Sequence, residues 1–197
     1  MATHIDLTQR ASRRFWALAA LLGLVVLAGL AAAHYMEENG HIVTGMNNRI
    51  VWGLPHVFAI FLIVAASGAL NVASIGSVFG KPEYKARAPL SGLLCIALLA
   101  GGLAVLMLDL GRPERMVVAA THYNFTSVFA WNVFLYSGMV GVALIYLWTM
   151  FERRLDQWSK PAGIAALVWR FVLTTGTGSI FGFLVARQAY QSALLAP

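Results

Sequence analysis

Charge and cysteine are scarce in this chain. Of its 197 residues 11% are charged and one is a cysteine, Cys95, whereas 59% are hydrophobic. A chain so rich in apolar residues is typical of an integral membrane protein. Because a lone cysteine cannot form an internal disulfide or a thiolate metal site, we expect Cys95 to be a packing residue.

Long apolar segments dominate what is present. A helix that crosses the hydrocarbon layer needs about 20 mainly apolar residues, and five segments fit: 15–33, 52–79, 89–110, 128–151 and 162–185. They lack the alternation of β-barrel strands. The first is longer than the apolar core of a signal peptide, so we expect a retained helix. The sequence therefore predicts an all-α, polytopic transmembrane bundle in one domain, 1–197.

Basic residues between these segments predict the orientation in the membrane. One side carries most of them: Arg10, Arg13, Arg14, Lys81, Lys85, Arg87, Arg153, Arg154 and Lys160. The opposite loops carry Arg49, Arg112 and Arg115. We therefore predict a cytoplasmic amino terminus. The net charge of +6 is mainly this topological signal, so we expect no nucleic-acid partner.

Polar and titratable residues gather at the predicted outer side. The group includes His34, His41, His56, Asp109, His122, Tyr123, Asn124 and Asn132. In the second segment His56, Ser67, Asn71 and Ser74 fall on one helical face, forming a polar stripe. Such a stripe faces a ligand or other helices, because lipid cannot satisfy it. For Ser67 and Ser74 helix packing is an equal alternative.

Two charged features have both a structural and a functional interpretation. Asp109 is either a helix-end anchor paired with Arg112 or Arg115, or a proton acceptor at the mouth of a site. We favour proton exchange for Asp109 and a structural role for both arginines. Arg170, about eight residues inside the cytoplasmic end of the fifth segment, is interpreted as a snorkelling anchor, with a proton path as the alternative.

Histidine positions argue against a resident cofactor. Paired axial haem ligands must lie at matched depth in two helices, and no histidine lies deep in a predicted span. No set of residues has the spacing of a zinc site. We therefore expect neither haem nor metal to be bound by this chain.

Four short sequence strings follow one another along the chain: Trp52-Gly53-Leu54-Pro55, Val78-Phe79-Gly80, Asp109-Leu110-Gly111-Arg112-Pro113 and Trp131-Asn132. This ordered set resembles the PsrC-like membrane subunits of the NrfD and polysulfide-reductase family. Three longer strings, 38–41, 43–46 and 173–183, are similar to the DsrP-type members, quinone-reactive subunits of sulfur-metabolism complexes. The resemblance extends from the first helix to the last residue.

The resemblance implies a haem-free subunit of a respiratory or sulfur-metabolism complex in a bacterial or archaeal cytoplasmic membrane. Such a subunit exchanges electrons and protons between membrane quinone and cofactors of its partners. An iron-sulfur subunit, and in some cases a multihaem cytochrome, is implied on the outer face. Relatives usually have eight or more spans, so the sequence belongs to a split gene or a shortened member, or a separate chain supplies the rest. In each case we expect further helices of another chain to complete the bundle.

The resemblance also singles out positions. Asp109, Arg112 and Trp131 match motif residues by position. Some relatives carry a histidine and an aspartate where this chain has Ser67 and Asn132. Neither replacement is an ordinary proton acceptor, so proton handling would shift toward Asp109, His56 or His122.

Our main hypothesis is a non-autonomous subunit of a quinone-dependent oxidoreductase. Exchangeable quinone would bind near the outer face among the second, third and fourth spans, with Asp109 and His56 exchanging protons. The predicted quinone contacts are His56, Ser67, Asn71, Asp109, His122, Tyr123, Trp131, Asn132 and Tyr136. One alternative is a membrane anchor for peripheral redox subunits without quinone binding. Another is a proton or small-solute transporter, although the sequence has no convincing internal repeat.

Overall fold

The computed structural model describes residues 12–47, 50, 52–110 and 116–182, including every side chain there except those of residues 109, 119, 120, 129 and 181. Five long helices account for most of these residues: α1 (Arg13–Asn39), α2 (Leu54–Ser77), α4 (Ala88–Asp109), α6 (Val128–Phe151) and α7 (Ser159–Gly182). Shorter helices are α3 (Pro82–Lys85) and α5 (Met116–Thr121), and 3₁₀ turns cover His41–Thr44 and Arg153–Trp158.

All five long helices are long and apolar enough to cross a membrane, which confirms the predicted all-α bundle with five spans. Local chemistry explains where they begin. Ser12 Oγ accepts a hydrogen bond from the Phe15 backbone N–H at the start of α1, and Ser127 Oγ accepts one from Ala130 N–H at the start of α6. These are N-cap interactions. The orientation in the membrane stays a prediction.

Two helix bounds differ from the sequence expectation. α1 continues to Asn39 instead of ending near residue 33, so His34 lies within the helix. Its Nε2 is 3.3 Å from Glu38 Oε1, an i,i+4 pair that favours the extra turns. α7 begins at Ser159, since proline is tolerated in a first turn and Pro161 lies there. The length of an apolar segment does not include such polar residues at the ends of a helix.

Helices α2, α4, α6 and α7 form a closed four-helix bundle. α2 packs most extensively on α4 and α6 on α7, and the contacts of α4 with α6 and of α2 with α7 complete the ring. The largest fully buried side chains include Leu70, Cys95, Leu99, Met139 and Leu173. Cys95 is thus a buried packing residue, as predicted.

Small residues permit close approach of these helices. A Cβ on Gly102 of α4 would lie 2.9 Å from Ile63 Cγ1 of α2. A Cβ on Gly138 of α6 would overlap the indole of Trp169, and one on Gly176 of α7 would overlap Leu135. The indole N–H of Trp169 donates to the Leu135 carbonyl at 2.9 Å, which fixes the ring in this gap. The α6–α7 contact therefore depends on two glycines.

The bundle has two distinct ends. At the Lys85 end, Lys85 Nζ lies 3.5 Å from Asp156 Oδ1, and the Tyr146 hydroxyl donates to the Ala73 carbonyl at 2.9 Å and also contacts Ser77 Oγ. The His56 end holds the first residues of α2 and α6 and the last of α4 and α7. This arrangement brings residues distant in sequence to one surface.

Helix α1 stands apart from the bundle. None of its most apolar stretch is buried, and Met36 is its one buried residue. Its main contact is with the 3₁₀ turn His41–Thr44. That turn closely approaches Gly53, the residue before α2, where a Cβ would lie 2.6 Å from Thr44 Oγ1. The sequence did not predict this separation.

Candidate functional site

The His56 end contains most of the predicted site, as expected from alternating spans. His56 lies in the first turn of α2 and is half-buried. Its ring stacks on Trp52 with centroids 5.0 Å apart and planes 6° from parallel. Asp109 ends α4 at the same surface, although its side chain lies outside the described part of the chain. Arg112 and Arg115 also lie outside the described residues.

An aromatic row runs from this end toward the middle of the bundle, formed by Tyr123, Phe125, Trp131, Phe134 and Trp169. Neighbouring centroids are 4.8–6.3 Å apart, in edge-to-face or tilted contacts. The Trp131 indole N–H donates to the Phe125 carbonyl at 2.8 Å. Tyr123 and Trp131 were predicted site residues, whereas the other three were not. Enrichment of aromatic residues near membrane interfaces was a signal for them.

His122 is exposed beside the row, and its Nδ1 lies 3.1 Å from Thr121 Oγ1. Within the described part of the chain, the buried hydroxyl of Tyr123 has no hydrogen-bond partner. A buried hydroxyl normally finds a partner. This end therefore has an exposed imidazole and a buried hydroxyl that has no partner among the described residues.

Asn132 connects α6 to α7. Its Nδ2 donates to the Val128 carbonyl at 2.9 Å and to the Gly176 carbonyl at 3.0 Å. Its Oδ1 accepts from Thr177 Oγ1 at 3.4 Å, and Tyr136 OH lies 3.3 Å from the same Thr177 oxygen. The amide is 2% exposed. Asn132 and Tyr136 thus form a buried hydrogen-bond network through Thr177. Both residues were predicted site residues, but the sequence did not predict this network.

An open cleft of about 210 Å³ lies between α2 and α7, in the half of the bundle nearer the His56 end. Its lining is mainly apolar, with the hydroxyls of Ser67, Thr174 and Thr177 at intervals; the other lining residues are Ile60, Ile63, Val64, Leu173 and Gly178. From the sequence we expected a pocket among α2, α4 and α6. The opening instead faces the gap between the second and fifth spans, which hydropathy cannot predict.

The serines and the asparagine in the polar stripe of α2 differ in their hydrogen bonds. Ser67 Oγ donates to the Ile63 carbonyl at 3.4 Å, and Ser74 Oγ donates to the Leu70 carbonyl at 2.9 Å. Both hydroxyls therefore satisfy their donors within the helix. Asn71 is half-buried one turn beyond Ser67, and no described residue forms a hydrogen bond with its side chain. Of the predicted contacts, Ser67 alone lines the cleft.

Arg170 lies far from both ends of α7. Because α7 begins at Ser159, Arg170 is near the middle of the helix, roughly 17 Å from each end at about 1.5 Å per residue. Its guanidinium carbon lies 4.4 Å from the Phe171 ring centroid. Such a contact contributes about 0.5–2 kcal/mol, less than the ~2.5–3.5 kcal/mol cost of a central arginine. The predicted role of Arg170 as a snorkelling anchor stays a prediction.

The chain is similar to known membrane proteins over most of its length. The family model described as "Polysulphide reductase, NrfD" matches residues 42–197. The integral membrane subunit of the Hdr-like menaquinol oxidoreductase of Archaeoglobus fulgidus is 29% identical over 100% of this chain and 49% of its own length. A putative membrane subunit of the dimethyl sulfoxide reductase of Halobacterium salinarum is 30% identical over 90% of this chain and 46% of its own length.

A third relative is a polypeptide of the polysulfide reductase of Wolinella succinogenes, which is 27% identical over 71% of this chain and 49% of its own length. The chain therefore spans about half the length of the curated relatives it matches. No solved structure matches it.

Proposed function

We propose, from the premise that this chain belongs to the NrfD polysulphide reductase family, that it is a membrane subunit of a multi-subunit redox complex. In this role it exchanges electrons and protons between the membrane quinone pool and iron-sulfur or cytochrome partners. Relatives named as membrane subunits of a menaquinol oxidoreductase and of a dimethyl sulfoxide reductase support the general role.

The observation that carries the proposal is the α2–α7 cleft. Its apolar lining suits a quinone ring and its isoprenoid tail, and its opening toward lipid gives a route from the bilayer. Ser67 and Thr177 line the cleft. Their hydroxyl protons are donated to the Ile63 carbonyl and to Asn132 Oδ1, so their oxygens can accept a hydrogen bond from a quinol hydroxyl. Behind Thr177, the network of Asn132 and Tyr136 holds the wall in place.

Proton exchange is assigned to the His56 end. Quinol releases two protons and two electrons when it is oxidised to quinone, and the reverse reaction takes them up. His56 is suited to this role because an imidazole can both accept and release a proton. Asp109 is suited by its position at the end of α4. The electrons pass to or from a partner docked at this end, where the aromatic row and His122 offer a surface.

Blocking the cleft tests the proposal. Val64 lines the cleft and is 52% exposed, so Val64→Trp fills the space without repacking the core. Val168→Trp is the matched control, because Val168 is 56% exposed on α7 and lies outside the cleft. In the complex purified through a tag on this chain, we expect quinol-analogue binding about tenfold weaker for Val64→Trp alone, which corresponds to about 1.4 kcal/mol. Equal affinity in both variants would contradict a quinone site here.

A membrane anchor without quinone binding is the second candidate. The saturation of the Asn132 amide by contacts between α6 and α7 favours it, because that side chain then has a structural task. The anchor role predicts that the purified complex binds no quinol analogue even in its unmodified form. Assembly with the redox partners would be unaffected by Val64→Trp.

A further inference from the structure

Arg170 holds a charge near the middle of α7, whether or not quinone binds this chain. Among the described spans Arg170 is the one Lys or Arg near the middle of a helix; the others lie at helix ends or in connections. Its Nε is buried and forms no hydrogen bond with a described residue. A charge at this depth is normally paired or faces a polar path. Arg170 therefore requires a partner.

A second polar group lies at the same depth. α2 and α7 run antiparallel, and a Cβ on Gly163 would lie 2.9 Å from Ser77 Oγ. Seven residues after Gly163 is Arg170, and seven residues before Ser77 is Leu70. Arg170 therefore lies level with Leu70 and Asn71. Asn71 follows Ser67 by one helical turn and thus shares the face that borders the cleft. Arg170 precedes Thr174 by one turn in the same way.

The groove between α2 and α7 thus presents a guanidinium and a carboxamide at mid-membrane. Lipid tails cannot satisfy either group. Neither side chain forms a hydrogen bond with another side chain in the described residues. An acceptor of opposite charge would satisfy both, because a carboxylate binds the guanidinium fork with two bonds and can accept from the amide.

The described residues provide no such acceptor. Their acidic residues lie at helix ends or between spans: Glu37, Glu38, Glu83, Asp109, Glu152 and Asp156. The two other acidic residues of the sequence, Asp6 and Glu114, fall outside its five long apolar segments. A second copy of the chain cannot supply this acceptor either, because it has the same acidic residues. The curated relatives are about twice as long as the stretch they share with this chain.

We propose that the α2–α7 groove seats a transmembrane helix of another membrane segment that carries an Asp or Glu near its middle. The carboxylate pairs with Arg170, and the Asn71 amide donates to the same group. The exposed apolar residue Val72, next to Asn71 on α2, contacts the apolar face of the incoming helix.

A carbodiimide experiment in native membranes tests the pairing. Arg170→Lys keeps the charge and introduces an amine that dicyclohexylcarbodiimide couples to an adjacent carboxyl group as an amide, with release of dicyclohexylurea. We expect mass spectrometry to find the introduced lysine joined to an Asp or Glu within an apolar membrane segment. Val168→Lys is the matched control, since position 168 lies on the same helix at similar depth but is exposed. It should give no such product.

A thermal assay provides an independent measurement. The complex is purified in mild detergent through a tag on this chain, and retention of the segment identified by the cross-link is followed on heating. Arg170→Met should release it at least about tenfold more than Arg170→Lys, because only the second keeps the charge. If the lysine gives no product, or cross-links only to loop carboxyls, the proposal is wrong. Full retention in Arg170→Met would likewise show that Arg170 interacts with lipid phosphate instead.

Discussion

Asn132 and Gly176 join α6 to α7 through one hydrogen bond, in which Asn132 Nδ2 donates to the Gly176 carbonyl at 3.0 Å. The bond forms because residue 176 has no side chain: a Cβ there would overlap Leu135, one turn beyond Asn132. A hydrogen bond and the space left by a glycine thus specify the same contact. Substitution can remove the first or fill the second separately.

Removing the amide should loosen the α6–α7 contact. We expect Asn132→Leu to lower the free energy of unfolding by about 0.5–2 kcal/mol, the range for hydrogen bonds between membrane helices. Ser137→Ala is the control, since Ser137 is exposed on α6 and donates only to the Val133 carbonyl of its own helix. Thermal unfolding in nanodiscs, followed by tryptophan fluorescence, measures both. Equal midpoints would contradict a connecting role.

Filling the gap at Gly138 should be more costly. A Cβ there meets the Trp169 indole, which is held by its hydrogen bond to Leu135. Overpacking of this kind costs about 1–3 kcal/mol, so Gly138→Ala should unfold at lower temperature. Gly141→Ala, one turn away and with nothing within 4 Å of the new Cβ, should be neutral or slightly stabilising. Similar losses in both variants would point to a general effect of alanine.

Proton exchange at the end of α4 predicts that Asp109→Asn lowers quinone-dependent electron transfer by roughly 10²–10⁴-fold, as expected for loss of a general base. Assembly of the complex should be retained. Asp156→Asn is the control, because this exposed carboxylate pairs with Lys85 at the opposite end. Turnover measured with a quinol analogue distinguishes them. Unchanged turnover in Asp109→Asn would assign the aspartate to anchoring.

Orientation can be tested with introduced cysteines in a Cys95→Ala background. Thr126 is exposed at the His56 end and Gln157 is exposed at the Lys85 end. If the amino terminus is cytoplasmic, an impermeant maleimide added to intact cells should label the cysteine at position 126. The cysteine at position 157 should react only after permeabilisation. The reverse pattern would place the His56 end in the cytoplasm.

Sequence patterns predict the membrane helices well because the hydrocarbon layer imposes length and apolarity on each span separately. They also predict that His56, Asp109 and Asn132 lie toward one end, since spans alternate in direction. They do not predict which helix faces which. The cleft between α2 and α7 and the contact of Gly138 with Trp169 depend on side-chain shape across the bundle.

The error in the predicted start of α7 has a separate origin. The polar residues Ser159 and Lys160 belong to α7 although hydropathy excludes them. With these residues included, Arg170 lies near the middle of the helix. A helix can begin with polar residues where its first turn reaches the headgroup region, so apolar length underestimates helix length.

The burial of Cys95 provides a built-in probe of bundle opening. Its side chain is 0% exposed among the residues shared by α2, α4 and α6, and no other cysteine occurs in the chain. A thiol reagent can react there only when the bundle separates locally or unfolds. The rate of alkylation therefore measures how often these helices part, without any engineered label, and would show directly whether a bound partner holds the bundle closed.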